Sequence, residues 1–407
     1  MIKIERDSVM KYYIMNKHTP VLLIEYNEKY NSIEKVYEVY NIEYAPLSVT
    51  NAYYDNSKSF SKSVDKWFKG RGIPSWRKDL EGLLSRLNVS TTEELLDKAY
   101  GLSLSDQYWM KEENSTLEWE NINFFENDFK YKGYLMASLS SSSVTLNQAE
   151  LMSPNNTTDG MLQKGWIIEN GRRVLVKGTY QASREEPINE WLASEICERL
   201  GFEHCKYTID VIGDNIVSKC TNFINKDEEI IPAKDIFYYH NKPNNISDYE
   251  HYINILEEKN VPNARENIEN MFILDCLIMN TDRHLGNFGI IRNVNTLEWI
   301  RTTPIFDNGE SMQCEKLTTN INFSNGVGKF FTNTEKKYED ILKIIGNGVT
   351  RIDIEKLNGL VEVYKNELYK YQAYIDISDL RIEKLCEGLE ARISMLEKQI
   401  RGRKYVC

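Results

Sequence analysis

The stretch "NTDRHLGNFGII" (280–291) sets an aspartate, an arginine, a histidine and an asparagine between apolar runs, with "NMFILDCLIM" before it and "FGII" inside it. Asp282 offers a carboxylate and Asn287 an amide oxygen. Asp307 stands at the far end of the hairpin pattern that follows. A hairpin returns the chain to its start, so Asp307 is expected beside Asn287 and Asp282. Asn287 and Asp307 are hard oxygen donors of the kind Mg²⁺ takes, its remaining ligands coming from phosphate and water. Asp282 would accept the proton of an incoming hydroxyl. Taken singly, Asp282 and Asn287 are more often turn residues, and His284 a satisfied core histidine. Three positions that fit one geometry favour phosphoryl transfer.

Lys177 ends the apolar run "RVLVK", where a strand lysine could hold nucleotide phosphates. Glu190, in the helix that follows, could pair with it. Each alone is more often an ordinary strand-end lysine or a solvated helix glutamate; the pair carries more weight than either member.

The elements around these residues are legible in outline. "TPVLLIEYNEKYNSIEKVYEVYN" (19–41) reads as two strands about a polar turn. Helical spacing dominates 63–100, with Leu80, Leu83, Leu84 and Leu87 on one stripe and Ser90 with Glu93 as a capping box. The Ser/Asn-rich segment 138–161 reads as a linker or exposed loop. "QKGWIIENGRRVLVKGTY" is a hairpin around "ENG". "EPINEWLASEICERLGF" is a helix stopped by Gly201, and "KYTIDVIGDNIVSKCTNFI" supplies further strands. "ARENIENMFILDCLIMN" (264–280) is a long buried helix. "GIIRNVNTLEWIRTTPIF" is a second hairpin, and 333–400 is helical, its amphipathic stripes reading as bundle core.

Composition sets bounds on function. The chain has 407 residues, a net charge of −11 and 41% hydrophobic residues. Its length calls for more than one packed unit. An acidic chain is a poor polyanion binder, so direct nucleic acid binding is not expected. Seven cysteines without CxxC spacing give neither a zinc signature nor a disulfide framework, which suits a reducing compartment. Neither an apolar signal core nor a membrane-length apolar run is evident, so the expected location is cytoplasmic, with no membrane partner.

The order of these pieces (loop, strand lysine, helix glutamate, hinge, catalytic aspartate, metal aspartate) resembles a protein kinase. It lacks GxGxxG and DFG, and "FDNG" (306–309) stands in place of the latter. "TDRHLGN", "FDNG" and "TTDGMLQK" are similar to the HipA family of bacterial serine/threonine kinases, over about residues 150–330. The resemblance implies an α+β, bilobal kinase-like fold, with a small β-rich N-lobe, a mainly helical C-lobe and an extra N-terminal α/β subdomain. On this reading 1–137 is the subdomain, 138–225 the N-lobe and 226–407 the C-lobe.

The same resemblance implies roles. Asp282 is the catalytic base, His284 supports its loop, and Asn287 and Asp307 are the Mg²⁺ ligands. Lys177 contacts ATP phosphates with Glu190 as its partner. "KCTNFI" (219–224) is the hinge, its backbone around Thr221 and Phe223 meeting adenine. Gly160 and Lys164 belong to a phosphate-covering loop of the form Ser-x-x-Gly-x-x-x-Lys. Thr157 stands where the family's phosphorylatable serine falls, and a phosphate there would add about −1.5 to −2 charge. The implied activity is ATP-dependent phosphorylation of a protein serine or threonine, with the kinase acting as a toxin held by a small DNA-binding antitoxin. Two other readings stay open: a phosphoinositide-type lipid kinase, which shares "DRH"-like loops, and a pseudokinase-like nucleotide-binding module.

Overall fold

Apolar runs build the first sheet, with the consecutive residues Val21, Leu22, Leu23 and Ile24 all buried. In a computed structural model, which describes residues 9–55, 59–139, 150–331 and 334–404, the chain divides into two compact units. The first comprises 1–175 with the short segments 224–231 and 291–298; the second comprises 176–223, 232–290 and 299–407.

The first unit opens with β1 (Val9–Asn16), β2 (Thr19–Asn27) and β3 (Ser32–Val39). Then come α1 (Leu47–Tyr54), α2 (Phe60–Lys69), α3 (Leu80–Leu87) and α4 (Thr92–Lys98). β4 (Tyr108–Glu112), α5 (Trp119–Ile122), α6 (Lys132–Leu139) and β5 (Lys164–Glu169) follow; β6 (Arg172–Lys177) starts in this unit, and its last two residues, Val176 and Lys177, belong to the second. The sheet order is β3-β2-β1-β4, and β1 pairs antiparallel with both β2 and β4. Ile14, Leu22, Ile24 and Tyr26 face Val64 and Phe68, which lie one helical turn apart on α2. The expected hairpin at 19–41 is present as β2–β3. β1 was not anticipated from the sequence. The α4 cap also lies one residue later than expected: the Thr91 hydroxyl accepts from the Glu94 N–H at 3.1 Å, and the Glu94 carboxylate accepts from the Ser90 N–H at 2.9 Å.

The second unit begins with α7 (Glu186–Leu200), whose Ile188, Leu192 and Ile196 are fully buried and whose C-cap Gly201 has φ 76°. β7 (Tyr207–Ile212) and β8 (Asn215–Thr221) form an antiparallel hairpin. In chain order β9 (Glu228–Pro232) follows, all but its last residue belonging to the first unit; α8 (Ala233–Phe237), α9 (Asp248–Glu258) and α10 (Ala264–Ile278) are in the second, β10 (Gly289–Asn293) is divided between the two after Ile290, and β11 (Trp299–Thr302) is again in the second. A short hairpin of β12 (Val327–Lys329) and β13 (Glu335–Lys337) precedes α11 (Tyr338–Ile345), α12 (Leu360–Ile375) and α13 (Asp379–Lys404). Residues 346–357 hold two 3₁₀ turns where continuous helix was expected, and the β12–β13 hairpin was not foreseen. No helix among the described residues is long and apolar enough to cross a membrane. Six cysteines, at 197, 205, 220, 276, 314 and 386, are buried and free.

Candidate active site

Helix α10 is buried on nearly all sides and ends where Met279 turns left-handed, at φ 53°. The next residues then use their side chains on the backbone instead of continuing the helix. Asn280 Oδ1 accepts from the Asp282 N–H at 2.9 Å, and Asn280 Nδ2 donates to Asp275 Oδ1 at 3.0 Å. The Asn287 amide donates to the Asp282 carbonyl at 2.9 Å. These bonds fix Asp282 and Asn287 in one tight loop. The Asp282 side chain remains 31% exposed, open enough to reach a substrate.

Arg283 answers the puzzle of so many polar groups in an apolar stretch. It is 1% exposed and forms a buried ion pair with Asp275 on α10, 2.9 Å from Nη2 to Oδ1. Its remaining donors reach the Asn287 carbonyl at 3.0 Å, the Phe306 carbonyl at 2.7 Å and Asn308 Oδ1 at 2.6 Å. One planar guanidinium thus ties the loop of Asp282 and Asn287 to the segment carrying Asp307. Neither Arg283 nor Asp275 was singled out from sequence. The signal was a charge set in each apolar run.

Asp307 has φ 58°, a left-handed conformation uncommon for a non-glycine residue. Lys177 Nζ lies 2.7 Å from Asp307 Oδ1 and 2.7 Å from Glu190 Oε1, with the Tyr207 hydroxyl at 3.2 Å. The Asn308 N–H donates to the other Glu190 oxygen at 2.8 Å. Burial alone would lower the Lys177 pKa, but Asp307 and then Glu190 push it well above its ordinary value. Lys177 and Glu190 are almost completely buried, whereas the Asp307 side chain keeps 29% exposure. Lys177, Glu190, Asp307 and the Asp282–Asn287 loop all lie in the second unit.

His284 is exposed, which excludes a core role. Its Nδ1 accepts from the Gly286 N–H at 3.0 Å, and its Nε2 is 3.9 Å from Asp282 Oδ2. Thr221 closes β8 and is exposed. The Phe223 ring is 5.6 Å from that of Phe306, and its carbonyl accepts from Arg301 at 3.3 Å.

Gly160, Lys164 and Thr157 lie in the first unit. The described part of the Ser/Asn-rich segment, 150–161, is packed, which corrects the exposed-loop reading; 140–149 lie outside the described residues. Ser153, Asn155 and Asn156 are fully buried, and the Asn156 amide donates to the Leu95 and Leu151 carbonyls, each at 2.7 Å. Polar composition suggested solvent, yet these side chains satisfy interior backbone groups. The Thr157 hydroxyl donates to the Leu102 carbonyl at 3.0 Å and to the Pro154 carbonyl at 3.1 Å. Gly160 has φ 94°, a conformation that L side chains rarely adopt, and a Cβ there would sit 2.8 Å from Lys164 Nζ, the mobile end of that side chain.

Residues 164–314 match the family model of the HipA-like kinase, and the resemblance to that family holds. Among individual relatives, the serine/threonine-protein kinase CtkA of Helicobacter pylori is 23% identical over 54% of this chain and 77% of its own length. The crystal structure of a Helicobacter pylori proinflammatory kinase CtkA aligns over 60% of this chain and 94% of that one, at 19% identity and a TM-score of 0.47. HipA of Shewanella oneidensis MR-1, solved with HipB and operator DNA, covers 96% of this chain and 99% of its own at 12% identity and a TM-score of 0.51, a likeness of fold.

Proposed function

We propose that the chain transfers the γ-phosphoryl group of ATP to a serine or threonine of a protein. What carries this reading is the buried Lys177 ammonium, 2.7 Å from both Glu190 and Asp307, beside a loop that presents Asp282 and Asn287. A lysine so paired keeps its charge; its three donors go to Glu190, Asp307 and the Tyr207 hydroxyl, and it would meet an incoming phosphate by exchanging one of these partners. The donor set fits Mg²⁺: Asn287 and Asp307 are oxygen ligands, and Asp307 keeps an accessible side chain. When bound, the ion would neutralise charge on the phosphates. Asp282 takes the hydroxyl proton as that oxygen bonds to the γ-phosphorus and the bond to ADP breaks. His284 braces the loop through Gly286, and Thr221 and Phe223 form the hinge that meets adenine. On the resemblance alone, Gly160 and Lys164 are assigned to the phosphate-covering loop and Thr157 to its regulatory phosphorylation. The same ground supports a toxin role, with a small DNA-binding antitoxin as partner; a solved HipA is described in complex with HipB and operator DNA.

The test incubates the full chain with labelled ATP, MgCl₂ and either a bacterial protein extract or phosphoinositide vesicles. Label is expected on protein, and Asp282→Asn should lower the rate by about 10²–10⁴-fold with an unchanged circular dichroism spectrum. Label on lipid would move the reading to a lipid kinase. Nucleotide binding without transfer would leave a binding module, and a fully active Asp282→Asn would remove the base.

A further inference from the structure

We infer that Lys329 is a positioning residue for Asp282: it holds one carboxylate oxygen and so orients the other toward the acceptor hydroxyl. The inference rests on Asp282 being the proton acceptor. Lys329 lies 47 residues beyond Asp282 in the chain, yet its Nζ is 2.8 Å from Asp282 Oδ1. The two side chains are 28% and 31% exposed, a half-buried setting in which a charge-assisted hydrogen bond keeps its strength better than on an open surface.

The delivery of Lys329 is built into the fold. It ends β12, which the chain presses against the buried ring of Tyr338. A Cβ on Gly328 would lie 2.6 Å from Tyr338 Cε1, and one on Gly326 2.7 Å from Tyr338 Cδ2, so only glycine permits this approach at either position. The Tyr338 N–H donates to the Gly326 carbonyl at 3.1 Å. The Tyr338 hydroxyl donates to the Asn280 carbonyl at 2.7 Å, and Asn280 in turn holds the Asp282 N–H at 2.9 Å. One tyrosine therefore anchors both the strand of Lys329 and the loop of Asp282. Across the hairpin the Cα partner of Lys329 is Glu335, yet the ammonium reaches Asp282.

Geometry then divides the labour between the two carboxylate oxygens. Oδ1 is engaged by Lys329. Oδ2 has His284 Nε2 at 3.9 Å, beyond hydrogen-bond reach, and is the oxygen for the substrate proton. The proton moves from the hydroxyl to Oδ2, the hydroxyl oxygen bonds to the γ-phosphorus, and ADP leaves with the electron pair of the broken bond. Without Lys329 the carboxylate can rotate, and fewer encounters have an oxygen in line.

The assay uses the full chain, MgATP and a bacterial protein extract. Lys329→Met is expected to lower kcat by about ten- to hundredfold, the scale of a small misplacement of a reacting group, with KM for ATP and melting temperature unchanged. Lys329→Arg should recover most of the rate. In an Asp282→Asn background, Lys329→Met should cost nothing further, because its effect passes through Asp282. A wild-type rate for Lys329→Met would overturn the inference. So would a faster rate, which would make the pair a lock, or full additivity with Asp282→Asn. An unimpaired Asp282→Asn single variant, or a wild-type chain without transfer, would instead overturn the base assignment, and the role of Lys329 with it.

Discussion

Arg283 and Asp275 are both almost wholly buried, so each charge depends on the other. Removing one member of such a pair strands its partner, at a typical cost of about 3–5 kcal/mol, whereas replacing both by apolar groups is often near neutral. Arg283→Met should therefore lower the unfolding free energy by about that amount in urea melts, and Asp275→Leu/Arg283→Met should lose less than the single change. Equal losses would show that the pair is not the source. The residue scale also shows what spacing could reveal. The pairing of Lys177 with Glu190, and the closeness of the Asp282–Asn287 loop to the segment of Asp307, were legible because a strand–helix step and a hairpin are local rules. Arg283 was not, because spacing does not say which side of a loop faces the core. Lys329 was beyond reach because only tertiary packing brings β12 to Asp282.

Helix α13 shows how a distant element positions the site. Its Ile382, Leu385, Leu389, Leu396 and Ile400 are buried, the bundle stripe anticipated from the amphipathic pattern. Two arginines on the same helix are buried with them. Arg392 Nε donates to the Cys276 carbonyl near the end of α10 at 2.9 Å. Arg381 grips Glu185, at the head of α7, with both oxygens at 2.6 and 2.7 Å. α7 carries Glu190, so α13 fastens the helix that holds Lys177. Arg381→Met should speed amide hydrogen exchange over the first turns of α7 and cost about 3–5 kcal/mol. Exchange that rises only within α13 would refute the link. Most helices and the three foreseen hairpins were legible because their periodicity is local. The β12–β13 hairpin was missed because its strands have only three residues each and are defined by their partners, β1 because its apolar and polar residues do not alternate, and the buried arginines because charge reads as surface.

At the scale of the whole chain, charge and burial act in the same direction. The net charge of −11 makes the folded protein repel itself at neutral pH. Burial pushes the Asp97 carboxyl up to about 6, with the Tyr26 hydroxyl pulling it partly back, and burial pushes Asp235 up to about 6. Burial, then the neighbouring Glu186, raises Glu310 to about 7. A folded state with raised carboxyls binds more protons than the unfolded chain, so stability falls as pH rises. The contribution is full below the ordinary values of 3.8 and 4.5 and is lost as pH climbs through 6 to 7. The lowered carboxyls, Asp210, Asp227 and Asp340, begin to lose their stabilisation only as pH falls toward 3.8, outside this window. The melting temperature in metal-free buffer should therefore be higher at pH 6 than at pH 8, by about 2–4 °C for each kcal/mol in domains of roughly 150–250 residues. Asp97→Asn, fixed neutral at a site where the Tyr26 hydroxyl lies 2.6 Å away, should flatten that slope. A melting temperature that climbs from pH 6 to pH 8, or an Asp97→Asn variant with the full wild-type slope, would mean that these buried carboxyls do not set the pH response.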